Sequence, residues 1–229
     1  MSDLESIRPP TRVVRVGRRP DPWAWPPWEA QHSDNTFGNR WDDPEGMYRV
    51  LYGCTQLEGA YVEVLSRFRP DPAVVAELAE IDDTGEDHQF GIVPATWLQT
   101  RVIGEATLTG TYADIGDVRS LAYLRSVMAP RLIHHNVLDF DASAIRLSVP
   151  RRFTQEISNH IYKLSASDGT PRFAGMEYES RFGDNYQNWA IFERPGQQPI
   201  AATSVRPVAY DDPSLNAALA VLGLKLARR

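Results

Sequence analysis

The sequence predicts one mixed α+β domain, a mixed β-sheet core with flanking helices. Three observations carry that prediction. Short runs rich in β-branched and aromatic residues, such as Thr11–Gly17, Met47–Gly53 and Asn188–Glu193, read as strands. Longer stretches with apolar residues at helical spacing, opened by capping residues, read as helices. The two kinds do not follow the regular βαβ alternation of a doubly wound sheet, and no internal repeat or low-complexity tract is present.

Along the chain, residues 1–10 read as a flexible N-terminal arm and Thr11–Gly17 as the first strand. Residues 18–34 are dense in Pro and Trp, which a helix interior or a central strand does not tolerate. Trp23, Trp25 and Trp28 in that segment read first as packing residues, with a lid or a partner patch as alternatives. After the strand at Met47–Gly53, Thr55 and Glu58 have the spacing of a capping box. Leu57, Tyr61, Val64, Leu65 and Phe68 then form an apolar stripe. Glu63 lies off the middle of that stripe, at the edge of the core and facing a cleft beside it.

Asp71-Pro72 opens a second helix, with Val75, Leu78 and Ala79 expected inward. Residues 82–91 read as a loop and Thr96–Leu108 as strand-like. Leu121, Leu124 and Met128 mark a helix ending near Pro130, and Val137–Asp141 a short strand or connection. Phe153, Ile157, Ile161 and Leu164 mark another helix. Asp212-Pro213 caps a last one with Leu215, Leu219, Leu222 and Leu226 on one face, and Lys225, Arg228 and Arg229 at its cation-favouring end.

The chain has 229 residues, 42% hydrophobic and 24% charged, as in ordinary globular proteins. Its net charge of -6 argues against direct binding of nucleic acid, which needs a basic face. Cys54 is the only cysteine, so no intramolecular disulfide forms, which fits a reducing compartment. The N-terminus lacks the apolar stretch of a secretory signal, and no apolar run approaches a membrane span. The expectation is a cytoplasmic protein without membrane contact, and a homo-oligomer is compatible with it.

The residues with chemical potential concentrate between Phe37 and Arg67 and between Gly175 and Glu193. Arg40, on a Gly-Asn turn, offers a planar fork for phosphate or carboxylate, or a plain surface salt bridge. Arg15 has the same two readings, and two arginines beside one pocket suit a pyrophosphate. Tyr52 ends a strand, where a tyrosine stacks on a ring, donates a hydrogen bond, or simply packs.

Glu63 among apolar neighbours is costly unless paired or used. A buried pair with Arg40 is the structural alternative. The catalytic one is to hold a ribose hydroxyl and stabilise the cation formed as an N-glycosidic bond breaks. Ser180 shares a strand face with Met176 and Tyr178. Without a G-x-S-x-G elbow it reads as a ligand contact rather than a nucleophile, and Asn188 has a similar role. Cys54 reads as a small packed residue. His134 and His135, read as neighbours on an extended segment, point to opposite faces and lack partners at metal-binding spacing, so no metal is expected. No Walker loop or G-x-G-x-x-G occurs.

The order GNRW, a Pro-Glu-Gly turn, VLYGC and AYVEVL resembles the N-terminal half of the RES domain. FTQEISNHIY followed by FAGMEYESRFGDNYQNWAIFE resembles its C-terminal half. The resemblance covers roughly residues 11–195, with insertions near 18–34 and 82–132 and a C-terminal extension and helix over 196–229.

It implies a fold similar to ADP-ribosyltransferase toxins. It also implies an enzyme that degrades NAD by hydrolysis or phosphorolysis of the nicotinamide–ribose bond, as the toxin of a toxin–antitoxin pair. The implied partner is an Xre-type antitoxin that covers the active site and carries the DNA-binding function. NAD is then a substrate, with no resident cofactor. By position Arg15 and Arg40 match the family's arginines, Tyr52 its tyrosine, Glu63 its glutamate and Ser180 its serine. The alternatives are a mono-ADP-ribosyltransferase and a non-catalytic interaction module on the same fold.

Overall fold

The computed structural model describes residues 3–81, 91–146 and 149–227. The strands are β1 (Ser6–Ile7), β2 (Val13–Arg18), β3 (Val50–Cys54), β4 (Ile92–Val93), β5 (Arg101–Leu108), β6 (Tyr112–Asp114), β7 (Gly175–Ser180), β8 (Gly183–Phe192), β9 (Ile200–Pro207) and β10 (Lys225–Leu226). The helices are α1 (Leu57–Leu65), α2 (Pro72–Ile81), α3 (Ala95–Gln99), α4 (Val118–Val127), α5 (Ala129–His134), α6 (Arg151–Lys163) and α7 (Pro213–Leu222).

Eight strands form one sheet in the order β1-β6-β7-β8-β3-β2-β5-β9. β6 and β7 pair in parallel and the other neighbours antiparallel, so the sheet is mixed. β10 and β4 make a separate parallel pair. The α+β expectation holds.

Strand alternation separates the two faces of the sheet. Val50, Tyr52 and Cys54 of β3 share one face. Val50 and Tyr52 join a core with Leu124 of α4, Leu132 of α5 and Phe153, Ile157 and Ile161 of α6. Cys54 joins a second core with Tyr61, Val62 and Leu65 of α1 and Leu215, Ala218 and Leu219 of α7. Two helical groups therefore stand side by side on one face, and the seam between them crosses β3, β8 and β7. On the opposite face Leu51, Trp189, Ile191 and Val13 pack with Trp23.

The Pro/Trp segment covers that opposite face. A Cβ at Gly17 would lie 2.6 Å from Pro22 Cα, and one at Gly104 would lie 2.5 Å from Trp23 Nε1. Only glycine admits this approach of strap to sheet. Trp23 is buried, whereas Trp28 is 39% exposed.

Several local expectations hold. Asp71 Oδ1 accepts from Ala73 N at 2.9 Å, and Asp212 Oδ1 from Ser214 N at 2.9 Å, as N-caps of α2 and α7. Pro130 ends one helix by opening the next, since α5 begins at Ala129. Residues 137–141 form a connection.

Others are corrected. The capping box does not form: α1 starts at Leu57, Thr55 Oγ1 accepts from Trp189 Nε1 at 3.0 Å, and Glu58 accepts from Tyr186 at 2.6 Å. Val75 is 39% exposed rather than inward, and the side chains of Leu78 and Ala79 lie outside those described. Residues 96–99 are helical, and the strand begins only at Arg101. His134 ends α5 and the two histidine rings meet at 4.8 Å, so that segment is not extended. α7 stops at Leu222, where Gly223 takes a left-handed φ of 65°, and Lys225 and Leu226 turn into β10. Residues 82–90 of the loop expected at 82–91, and the cations Arg228 and Arg229, lie outside the described residues.

Three segments expected as additions take part in the main sheet. Leu4 is buried and β1 pairs with β6. β5 and β6 come from the expected insertion near 82–132, and β9 from the expected C-terminal extension. Among the described residues no helix is long and apolar enough to cross a membrane.

Candidate active site

Glu63 stands on α1, the first helix after β3, and is half-buried at the seam. Its carboxylate is held from the sheet rather than from its own helix. Ser180 Oγ donates to Glu63 Oε1 at 2.7 Å, and Asn188 Nδ2 donates to the same oxygen at 3.0 Å. Both donors are almost completely buried, on the adjacent strands β7 and β8. A register shift between Glu179 and Ser180 breaks the regular ladder beside them, a common way to re-aim a strand side chain. Oε2 carries no hydrogen bond among the described residues, so the carboxylate is held through one oxygen.

Arg40 reaches the same seam on a turn pinned from two sides. Gly38 begins the turn with φ of 79°, a conformation that favours glycine. Asp42 Oδ2 accepts from Asn39 N at 2.6 Å and Nδ2 at 3.1 Å. The Tyr52 hydroxyl donates to Asp42 Oδ1 at 2.8 Å and accepts from Trp41 N at 3.2 Å. From the other side, α6 presents Arg151, Gln155 and Ser158 in a row at helical spacing. They donate to the carbonyls of Gly38, Asn39 (3.1 Å) and Trp41 (2.7 Å).

The guanidinium thus fixed lies 4.8 Å from the Tyr178 ring centre and 5.1 Å from that of Trp41. Arg40 makes no ion pair among the described residues, and its Nη1 is buried without an acceptor. The buried Arg40–Glu63 pair considered from the sequence is not formed. Tyr178 feels both groups: burial raises its pKa well above the ordinary value, Arg40 opposes the rise and Glu63 adds to it. Arg40, Tyr178 and Glu63 therefore share one electrostatic neighbourhood.

The other sequence candidates divide. Arg15 is tied to backbone: Nε donates to the Pro22 carbonyl at 2.8 Å and Nη1 to the Tyr52 carbonyl at 2.6 Å. β2 and β3 pair only at Val14 and Cys54, so this guanidinium satisfies a carbonyl beyond the end of the ladder. Burial lowers its pKa to about 10, with Tyr52 and Tyr178 opposing. Tyr52 braces the Arg40 turn through its hydroxyl. Burial raises the Cys54 thiol to about 12, the state of a packed residue. Among the described residues no group of three or more His, Cys, Asp or Glu side chains is placed to hold a metal ion.

The sequence left Asp42, Gln155 and Tyr178 without a role in the site. Only Tyr178 had a readable signal, its shared strand face with Ser180. Asp42 and Gln155 act through contacts that local spacing does not reveal.

A comparison with curated proteins finds no match. The family profile described as the RES domain matches residues 12–211. That span contains Arg15, Arg40, Tyr52, Glu63, Ser180 and Asn188, and with it the chain belongs to the RES-domain family.

Proposed function

We propose that this protein cleaves the nicotinamide–ribose bond of NAD, passing the ADP-ribosyl group to water or phosphate, and that it is the toxin of a toxin–antitoxin pair. One observation carries the reading. A carboxylate fixed through a single oxygen and a buried guanidinium N–H lacking an acceptor converge on one aromatic-walled seam. A buried donor without a partner is costly, and a ligand phosphate oxygen supplies the acceptor that Arg40 lacks.

In this reading Arg40 takes an oxygen of the pyrophosphate, and Arg15, bound to the Pro22 and Tyr52 carbonyls, supports the strand that carries Tyr52. The C–N bond breaks, its electron pair neutralises the pyridinium nitrogen, and positive charge develops at ribose C1′ and the ring oxygen. Glu63 Oε2 faces that charge. Ser180 and Asn188 hold the carboxylate so that little reorganisation is needed at the transition state. The partner inferred from the family resemblance is an Xre-type antitoxin that covers this seam.

The test is release of nicotinamide from NAD by the purified protein. Glu63→Gln preserves an oxygen for Ser180 and Asn188 but removes the charge. It should lower kcat by roughly 10²–10³, the usual cost of losing one electrostatic stabiliser. Release at the wild-type rate by that variant, or none by the wild type, refutes the reading.

A further inference from the structure

We propose that Arg69 and Arg181, gathered on the ring of Phe182, form a second phosphate subsite beside Glu63. The Arg69 guanidinium carbon lies 5.9 Å from the Phe182 ring centre and that of Arg181 lies 4.6 Å from it. The platform is rigidly related to Glu63. Ser180 Oγ donates to Glu63 at 2.7 Å and accepts from Phe182 N at 3.1 Å, fixing the turn that bears Arg181. Arg69 follows α1, the helix that bears Glu63.

Neither guanidinium makes an ion pair among the described residues, although the whole chain is acidic at -6. Arg181 feels Glu63 as its one attractive charge and Arg40, Arg151 and Arg69 as repulsive ones. Three further guanidiniums thus act on Arg181, against the one carboxylate of Glu63. Two planar forks on one ring suit the several oxygens of a phosphate better than a lone carboxylate.

The phosphate has two chemical sources, the dinucleotide itself and free inorganic phosphate. For a free ion beside Glu63 the chemistry balances. An oxygen of hydrogen phosphate bonds to ribose C1′, the C–N bond breaks, and its electron pair stays with nicotinamide, so no proton need move. The assignment to either source rests on the NAD-cleaving reading, while binding of inorganic phosphate alone tests the subsite without it.

The first arm measures the melting temperature of the full chain against inorganic phosphate, with chloride at matched ionic strength as reference. The expected result is a saturable upward shift with phosphate, lost in Arg69→Gln and in Arg181→Gln. It should persist in Arg67→Gln, whose guanidinium lies on Phe68 instead. Equal shifts with chloride, or equal responses in all three variants, overturn the proposal. The second arm follows nicotinamide release. Acceleration by phosphate with a sugar-phosphate product assigns the subsite to the free ion, and competition with NAD assigns it to the dinucleotide. In both cases the effect should vanish in Arg181→Gln; no effect of phosphate on a chain that does cleave NAD overturns the subsite alone.

Discussion

Replacing Tyr52 by phenylalanine removes one hydroxyl, keeps the ring, and separates a brace for the Arg40 turn from a ligand contact. The hydroxyl donates to Asp42 at 2.8 Å and accepts from Trp41 N at 3.2 Å. Both partners are almost fully buried, so water does not replace what is lost. One bond goes to a carboxylate and the other to a neutral amide, which places the destabilisation at about 2–4 kcal/mol. The urea midpoint should fall accordingly with an unchanged slope.

The loss should also depend on pH. Burial holds Asp42 above its ordinary 3.8, and the Tyr52 bond is among the contacts opposing that rise. An acid whose native pKa is raised makes its stability contribution below the ordinary value and loses it as pH rises through the native one. Without the hydroxyl the native value moves higher, so the deficit of Tyr52→Phe should widen from pH 4 upward. Wild-type stability in the variant, or a deficit largest in acid, refutes the bracing role. Unchanged stability with a raised KM for NAD would make Tyr52 a ligand contact instead.

Two further outcomes test other parts of the molecule. Gly104→Ala drives a methyl into Pro22 and Trp23 and should cost about 1–3 kcal/mol, with a change in tryptophan emission; an unchanged melting temperature would refute the close packing of the strap. Glu177 is raised to about 7, chiefly by burial and then by Asp114 and Glu179, so its cost to stability appears as pH rises from 4.5 through about 7. Glu177→Gln should therefore melt higher than wild type at pH 8 and show no such gain at pH 4, whereas a gain confined to acid would contradict that placement.

What the sequence discloses is mostly local. Asp71-Pro72 and Asp212-Pro213 carry their helix starts in the chain itself, and the apolar spacing of α6 needs no distant partner. Glu63 is legible because it stands off an apolar stripe. Failures occur where remote groups compete. Thr55 has the spacing of a cap, but the indole of Trp189, 134 residues away, takes its hydroxyl. The sequence shows no tie between Glu63 and Ser180 or Asn188, which the sheet brings onto its carboxylate. Asp42 looks like part of an ordinary Asp-Asp-Pro turn until Tyr52 donates to it from β3.

The long separation between Glu63 and its anchors has a consequence for synthesis. Ser180 follows it by 117 residues and Asn188 by 125. During translation the glutamate leaves the ribosome long before either donor exists, and a chain broken off upstream of Ser180 holds the acid with nothing to aim it. If the finished protein consumes a metabolite its host cannot spare, the order of the polypeptide itself delays the danger until the strands bearing both donors have been made.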